Sequence, residues 1–168
     1  YFPGWTESPG SWWNLPWELI KPFPEREPIL SWYKEGDAKI AEQHLEWMSE
    51  YGIDFVVYDW YWSRKTNKPR LDHAIKAYLK SSNRENVKFC LMWANHGKPL
   101  SSIAQYDSVV TFWAKNYFKT SSYLHIDHKP VVYIFSPENL KDFAKKQRRS
   151  VKDLLTRADS IAATSGCS

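Results

Sequence analysis

The chain has 168 residues and a formal net charge of +4, enough length for one domain with a substantial core. It contains no run of 18 apolar residues, so the sequence predicts no membrane-spanning helix. Its basic residues crowd into the C-terminal quarter, where Asp142 and Asp153 interrupt them and no nucleic-acid-binding motif accompanies them. A solvated helix exterior is therefore favoured there over a nucleic-acid or membrane patch.

Aromatic residues make up 17% of the chain, with ten Trp and ten Tyr. A buried indole must find a partner for its N–H, so a core alone seldom needs so many Trp. Some of these rings are expected in the core, but those at strand ends favour a binding site for a sugar. The two cysteines, Cys90 and Cys167, make a disulfide framework unexpected. The two cysteines do not determine the cellular compartment of the protein, and an extracytoplasmic location is only slightly favoured.

The chain begins with residues that resemble the end of a strand, including Tyr1 and Trp5. Residues 6–36 then form a segment rich in Pro and Trp. Proline at this density excludes a regular helix or a central strand. Because disordered segments are poor in aromatics, we expect an ordered functional loop.

Strands and helices are predicted to alternate in the rest of the chain. Short apolar runs bounded by turn residues predict strands at 53–61, 87–93 and 131–135, with a polar loop at 63–70. Helices are predicted at 37–51, 71–80, 102–118 and 150–163, the first between an Asp37 N-cap and a Gly52 stop. Apolar residues recur in the first at helical spacing, with His44 as a packed histidine.

This order predicts an α/β fold built from about four (β/α) units with a parallel sheet. A closed (β/α)8 barrel needs about 250 residues and eight strands. We therefore predict that residues 1–168 form the N-terminal part of a TIM barrel, truncated before strand five. The remainder of the barrel would come from a missing C-terminal half.

Polar and aromatic side chains follow each predicted strand. Ligand sites of parallel sheets lie just beyond the carboxyl ends of the strands. The predicted substrate-binding residues are Tyr1, Trp5, Asp59, Trp60, Tyr61, Trp93, Asn95, His96 and Glu138. An aspartate beside aromatic rings can bind sugar hydroxyls while a ring packs on the sugar; the alternative for Asp59 is a cap on the next turn.

Glycoside hydrolysis usually needs two carboxyl groups about 5–9.5 Å apart. Asp59 and Glu138 are candidates for that catalytic pair, although their spacing in the sequence does not fix their separation. No histidine–carboxylate spacing resembles a metal site, and no phosphate-binding loop or nucleophile elbow is present. We expect no metal and no cofactor.

Four blocks carry a family resemblance: residues 1–5 (YFPGW), 51–62 (YGIDFVVYDWYW), 89–96 (FCLMWANH) and 129–138 (KPVVYIFSPE). Together they resemble glycoside hydrolase family 99-like domains, relatives of endo-α-mannosidase and of WbsX proteins from polysaccharide gene clusters. The resemblance implies a metal-free (β/α)8 barrel acting on α-linked mannose or similar glycans, with the sugar's own 2-hydroxyl as nucleophile. It places the two catalytic glutamates on later strands, so that the residues named above bind substrate.

Three functions stay open from the sequence. The first is a glycan-processing glycoside hydrolase whose partner is an oligosaccharide or polysaccharide. The second is a carbohydrate-binding protein that kept the barrel and lost the chemistry. The third is a domain associated with glycosyltransfer in polysaccharide synthesis.

Overall fold

Parallel strands alternate with helices along the chain in a computed structural model, which describes residues 20–97 and 99–167. The helices are α1 (Ala38–Glu50), α2 (His73–Lys80), α3 (Ile103–Trp113), α4 (Pro137–Lys146) and α5 (Val151–Thr164). The strands are β1 (Phe55–Ser63), β2 (Lys68–Arg70), β3 (Lys88–Trp93), β4 (His125–Ile126), β5 (Lys129–Pro130) and β6 (Val132–Ile134).

The main sheet has the strand order β2-β1-β3-β6. β1, β3 and β6 are parallel and lie side by side in chain order, with helices in each connection. The predicted α/β fold with a parallel sheet is thereby confirmed. The predicted strand at Tyr1–Trp5 lies outside the described residues.

Capping explains where the helices begin. Asp37 accepts a hydrogen bond from the backbone N–H of Lys39 at 2.9 Å, as its predicted N-cap role requires. Ser150 and Asp153 form a reciprocal capping box at α5. Gly52 has φ +72°, a conformation that disfavours other residues, and it turns the chain from α1 towards β1.

The two faces of the parallel sheet differ because successive side chains point to opposite sides. One face packs under the helices and holds three of the largest fully buried side chains, Trp60 of β1 and Phe89 and Leu91 of β3. The other face has no helix layer among the described residues. Tyr133 and Phe135 lie on it, 45% and 53% exposed.

Two parts of the sequence prediction are wrong. Residues 63–70 were expected to be a polar loop. Instead the chain turns after β1, and β2 pairs antiparallel with β1, with Ser63 opposite Lys68. Helix α4 was not predicted. Its signals were present: Ser136 caps the helix and accepts from the N–H of Asn139, and Pro137 occupies the first helical position.

Smaller differences concern loops and helix ends. The predicted helix at 102–118 closes with a π-helical turn at Ala114–Phe118. Over residues 20–36 the only helix or strand is a 3-10 turn at Pro24–Arg26. Glu35, 2% exposed, joins this segment to α2, with its Oε2 3.5 Å from Nε2 of His73. Across the described residues, no helix is long and apolar enough to cross a bilayer.

Candidate functional site

Side chains from three parallel strands meet at the carboxyl edge of the sheet. Asp59 and Tyr61 lie on the open face of β1, His96 follows β3 and Phe135 follows β6. The rings of Tyr61 and His96 are perpendicular with centroids 5.9 Å apart, and those of His96 and Phe135 are 4.8 Å apart. We call these four residues the strand-end cluster.

Burial shapes the acid–base properties of this cluster. Burial raises the pKa of Asp59 above its ordinary value of 3.8, and the nearby His96 opposes the rise. Burial, together with the negative charge of Asp59, raises the pKa of Tyr61 to about 12. The Tyr61 hydroxyl therefore stays protonated at neutral pH and can donate a hydrogen bond to a ligand.

A cleft of about 760 Å³ opens beside the cluster. It lies beyond the ends of β1 and β3, between the β1–β2 hairpin and the N-terminal half of α4. Aromatic and apolar side chains (Tyr61, Trp62, Leu71, Trp93, Leu100, Phe143) and uncharged polar ones (Ser63, Asn95, Asn139) share its lining. This volume lies within the range of small-ligand sites, and the mixed lining suits a ligand with apolar faces and hydroxyl groups.

Asn95 lines the cleft, but its side-chain amide is hydrogen-bonded to the backbone of Ser136. Its Nδ2 donates to the Ser136 carbonyl at 2.8 Å, and its Oδ1 accepts from the Ser136 N–H at 2.7 Å. Asn139 Nδ2 donates in turn to the Asn95 carbonyl at 3.1 Å. The amide predicted to bind substrate thus fixes the start of α4 against the end of β3.

Trp60, predicted as a substrate-binding residue, lies in the core and does not line the cleft. It is 1% exposed, stacks against Trp62, and its indole N–H donates to the Tyr117 hydroxyl at 3.3 Å. The alternation of side chains along β1 sends Trp60 under the helices and its neighbours Asp59 and Tyr61 to the open face. Trp93 is also almost buried, at 5% exposed, although one edge reaches the cleft.

Asp59 and Glu138, the candidate catalytic pair, lie on different elements, Asp59 on β1 and Glu138 on α4. Glu138 is the second residue of α4, is exposed, and accepts from the Ser136 hydroxyl at 3.5 Å. It does not line the cleft among the described residues. β3 lies between β1 and β6, which places those two strands about 10 Å apart. Tyr1 and Trp5 lie outside the described residues.

Several lining residues were missed as site residues, among them Asn139, Trp62 and Arg64. Asn139 was missed with α4, whose capping signals could have revealed it. Trp62 and Arg64 were missed because the hairpin was taken for a loop. Trp62 follows Trp60 on the helix side of β1 and Arg64 comes directly after the strand, so the alternation of side chains along an extended β1 was the signal for their positions.

Comparisons with known proteins give two kinds of match. Residues 24–99, which include β1, β2 and β3, match the family model described as Glycosyltransferase WbsX. No curated protein matches the chain. The resemblance to WbsX proteins is therefore confirmed over these residues, which amount to less than half of the chain.

Solved structures of a GH99 endo-alpha-mannosidase from Bacteroides thetaiotaomicron also match. The structure in complex with BIS-TRIS-propane has 14% identity and a TM-score of 0.49, with 80% of this chain and 40% of that chain covered. A second structure has 14% identity and a TM-score of 0.48, with 67% and 31% covered. The chain thus spans less than half the length of these enzymes.

Proposed function

We propose that this chain supplies the glycan-binding wall of a carbohydrate-processing (β/α)8 barrel, and that the complete protein is a glycoside hydrolase of the endo-α-mannosidase type. The observation that carries the proposal is the cleft at the carboxyl ends of the parallel strands. Its position is where α/β barrels bind their substrates. The names of the matched family and of the matched enzymes both concern carbohydrates, which supports the same reading.

Each part of the cleft suits one feature of a sugar. Tyr61 and Trp62 both line the cleft from opposite faces of β1, and either ring offers an apolar surface for the C–H face of a pyranose. The Tyr61 hydroxyl and the Ser63 hydroxyl can bond to sugar hydroxyls. Asp59, on the same face of β1 as Tyr61 but outside the cleft lining, is a further acceptor in the strand-end cluster. In this proposal the catalytic carboxylates come from the strands that complete the barrel.

The test is glycan binding and glycosidic bond cleavage by the full-length protein. Tyr61→Ala should weaken binding of the preferred oligosaccharide about tenfold, or about 1.4 kcal/mol, because it removes both a stacking surface and a donor. Tyr51→Ala is the matched control. Tyr51 is 79% exposed and directly follows α1, at the opposite end of the sheet.

The outcomes separate the three functions. Release of reducing ends from α-mannosides or related glycans supports hydrolysis. Binding without cleavage supports a carbohydrate-binding protein, and transfer from a nucleotide sugar supports the glycosyltransferase that the matched family's description names. Failure of the full-length protein to bind any glycan would overturn the proposal.

A further inference from the structure

The charged side chains that line the cleft are all basic within the part of the chain that the structure describes. They are Arg64, Lys65 and Arg70, and all three belong to the β1–β2 hairpin. A neutral sugar can accept hydrogen bonds from these side chains but carries no charge that complements theirs. Cations gathered in a concave site raise the local concentration of anions.

The hairpin holds these cations in defined places. Ser63 pairs with Lys68 and Tyr61 pairs with Arg70, so Arg70 lies directly opposite a residue of the strand-end cluster. The turn is closed by the Ser63 carbonyl, which accepts from the N–H of Asn67 at 2.8 Å. The basic residues therefore sit on an ordered element.

A second contact anchors the hairpin across the mouth of the cleft. Gln105, in the first turn of α3, donates from Nε2 to the Arg64 carbonyl at 2.9 Å. The Arg64 Nη1 donates to the Pro99 carbonyl at 3.4 Å. This single long bond orients the guanidinium and leaves most of its five N–H groups for a ligand.

Neither Arg64 nor Lys65 forms an ion pair with any carboxylate of the described residues, whereas Arg157, Lys76 and Lys88 do. Their charge is thus not neutralised within the described fold. A guanidinium binds carboxylate and phosphate groups through parallel hydrogen bonds, and a lysine adds a mobile point charge.

We infer that the cleft binds an anionic glycan, whose carboxylate or phosphate group is held by Arg64 and Lys65 while the sugar ring lies against Tyr61 or Trp62. This inference rests on the proposed function, since it names the substrate class of the same cleft. A uronic acid and a sugar phosphate share the required chemistry, and the experiment distinguishes them.

The experiment is calorimetric titration of the full-length protein with paired ligands. One pair is tri-galacturonic acid and its carboxyl-reduced counterpart; the other is mannobiose with and without a 6-phosphate. The anionic member of at least one pair should bind tenfold or more tightly, and the pair that shows the difference identifies the anion. Raising the salt concentration from 50 to 500 mM should weaken binding of the anionic ligand alone, because salt screens exposed charges.

A charge-removing variant assigns the preference to the hairpin. The double substitution Arg64→Gln and Lys65→Gln should abolish the preference for the anionic ligand, so that the anionic and neutral members of the pair bind alike. Lys145→Gln with Arg148→Gln is the matched control, since it removes one lysine and one arginine from exposed positions around the end of α4, outside the cleft.

Two results overturn the inference, and they differ in what they leave standing. If the neutral and anionic members of both pairs bind equally and without salt dependence, the anion preference is wrong and the proposed glycan function stands. If no glycan of any kind binds, the proposed function fails with it.

Discussion

Neighbouring side chains of β1 lie on opposite faces of the sheet and differ in burial, and the pKa of Asp59 shows the effect most clearly. Trp60 enters the core, whereas Asp59 lies half-buried on the open face. Its raised pKa means that the folded state destabilises the ionised carboxylate. Such a residue is retained at a cost in stability, which is typical of functional sites.

This cost predicts an unusual dependence of stability on pH. The folded chain holds a proton on Asp59 above pH 3.8, where the unfolded chain has lost it, so this residue makes stability fall as the pH rises through that window. Asp59→Asn should therefore be more stable than the parent at pH 7. The difference should vanish below pH 3.8, where the carboxyl is protonated in both states.

Urea denaturation at several pH values measures this effect. Asp159→Asn is the control, because Asp159 is exposed on α5, and it should change stability little at any pH. An Asp59→Asn variant less stable than the parent at pH 7 would show that the carboxylate makes favourable contacts instead.

At the scale of elements, the site depends on the junction of β3, β6 and α4. Asn95 serves both backbone groups of Ser136, which itself caps α4. Helix α4 then contributes Asn139 and Phe143 to the cleft. One side chain at the end of β3 therefore sets the position of a whole cleft wall.

Removal of the Asn95 side-chain amide should lower the stability of the folded chain. Asn95→Ala leaves the half-buried N–H of Ser136 without its partner and removes one of two donors to the Ser136 carbonyl, which keeps the N–H of Leu140. The free energy of unfolding should fall by about 1–3 kcal/mol. Asn116→Ala is the control, since Asn116 is exposed and makes one bond, from Nδ2 to the Phe112 carbonyl. Chemical denaturation of both variants checks this, and equal losses would refute the role of the junction.

At the scale of the molecule, helices cover only one face of the sheet within the described residues. The helix side is a continuous core, whereas the open face presents Tyr133 and Phe135 beside β6, a strand with no partner on its far side among the described residues. An exposed apolar strand edge promotes association. A barrel would cover this face with further strands, in agreement with the proposed architecture.

The 168-residue chain by itself should accordingly be poorly soluble and self-associate. Tyr133→Lys with Phe135→Lys should raise the monomer fraction measured by light scattering after size exclusion, because charge opposes pairing at the edge. The control is Ile29→Lys with Tyr51→Lys, at residues 93% and 79% exposed and away from the strands. Soluble parent chain that is monomeric and unfolds cooperatively would contradict the partial barrel.

The sequence by itself determined the α/β class and most element positions, because apolar runs, N-caps such as Asp37 and the Gly52 stop are local signals. It also indicated that strand ends carry the site, since that rule depends only on strand direction. Tyr61 and His96, predicted in this way, line the cleft. The hairpin was missed because its turn, residues 64–67, contains no glycine and β2 contains Pro69, so the usual hairpin signals are absent.

Only the tertiary structure decided which strand-end residues face the cleft. A shift of one residue along a strand exchanges its two faces, so composition cannot separate Asp59 and Tyr61 from Trp60. Likewise, Asn95 could be assigned to the α4 junction only once Ser136 lay within hydrogen-bonding distance, 41 residues further along the chain. The gathering of Arg64, Lys65 and Arg70 at one cleft arises for the same reason: long-range packing brings the hairpin, the β3–α3 loop and α4 together.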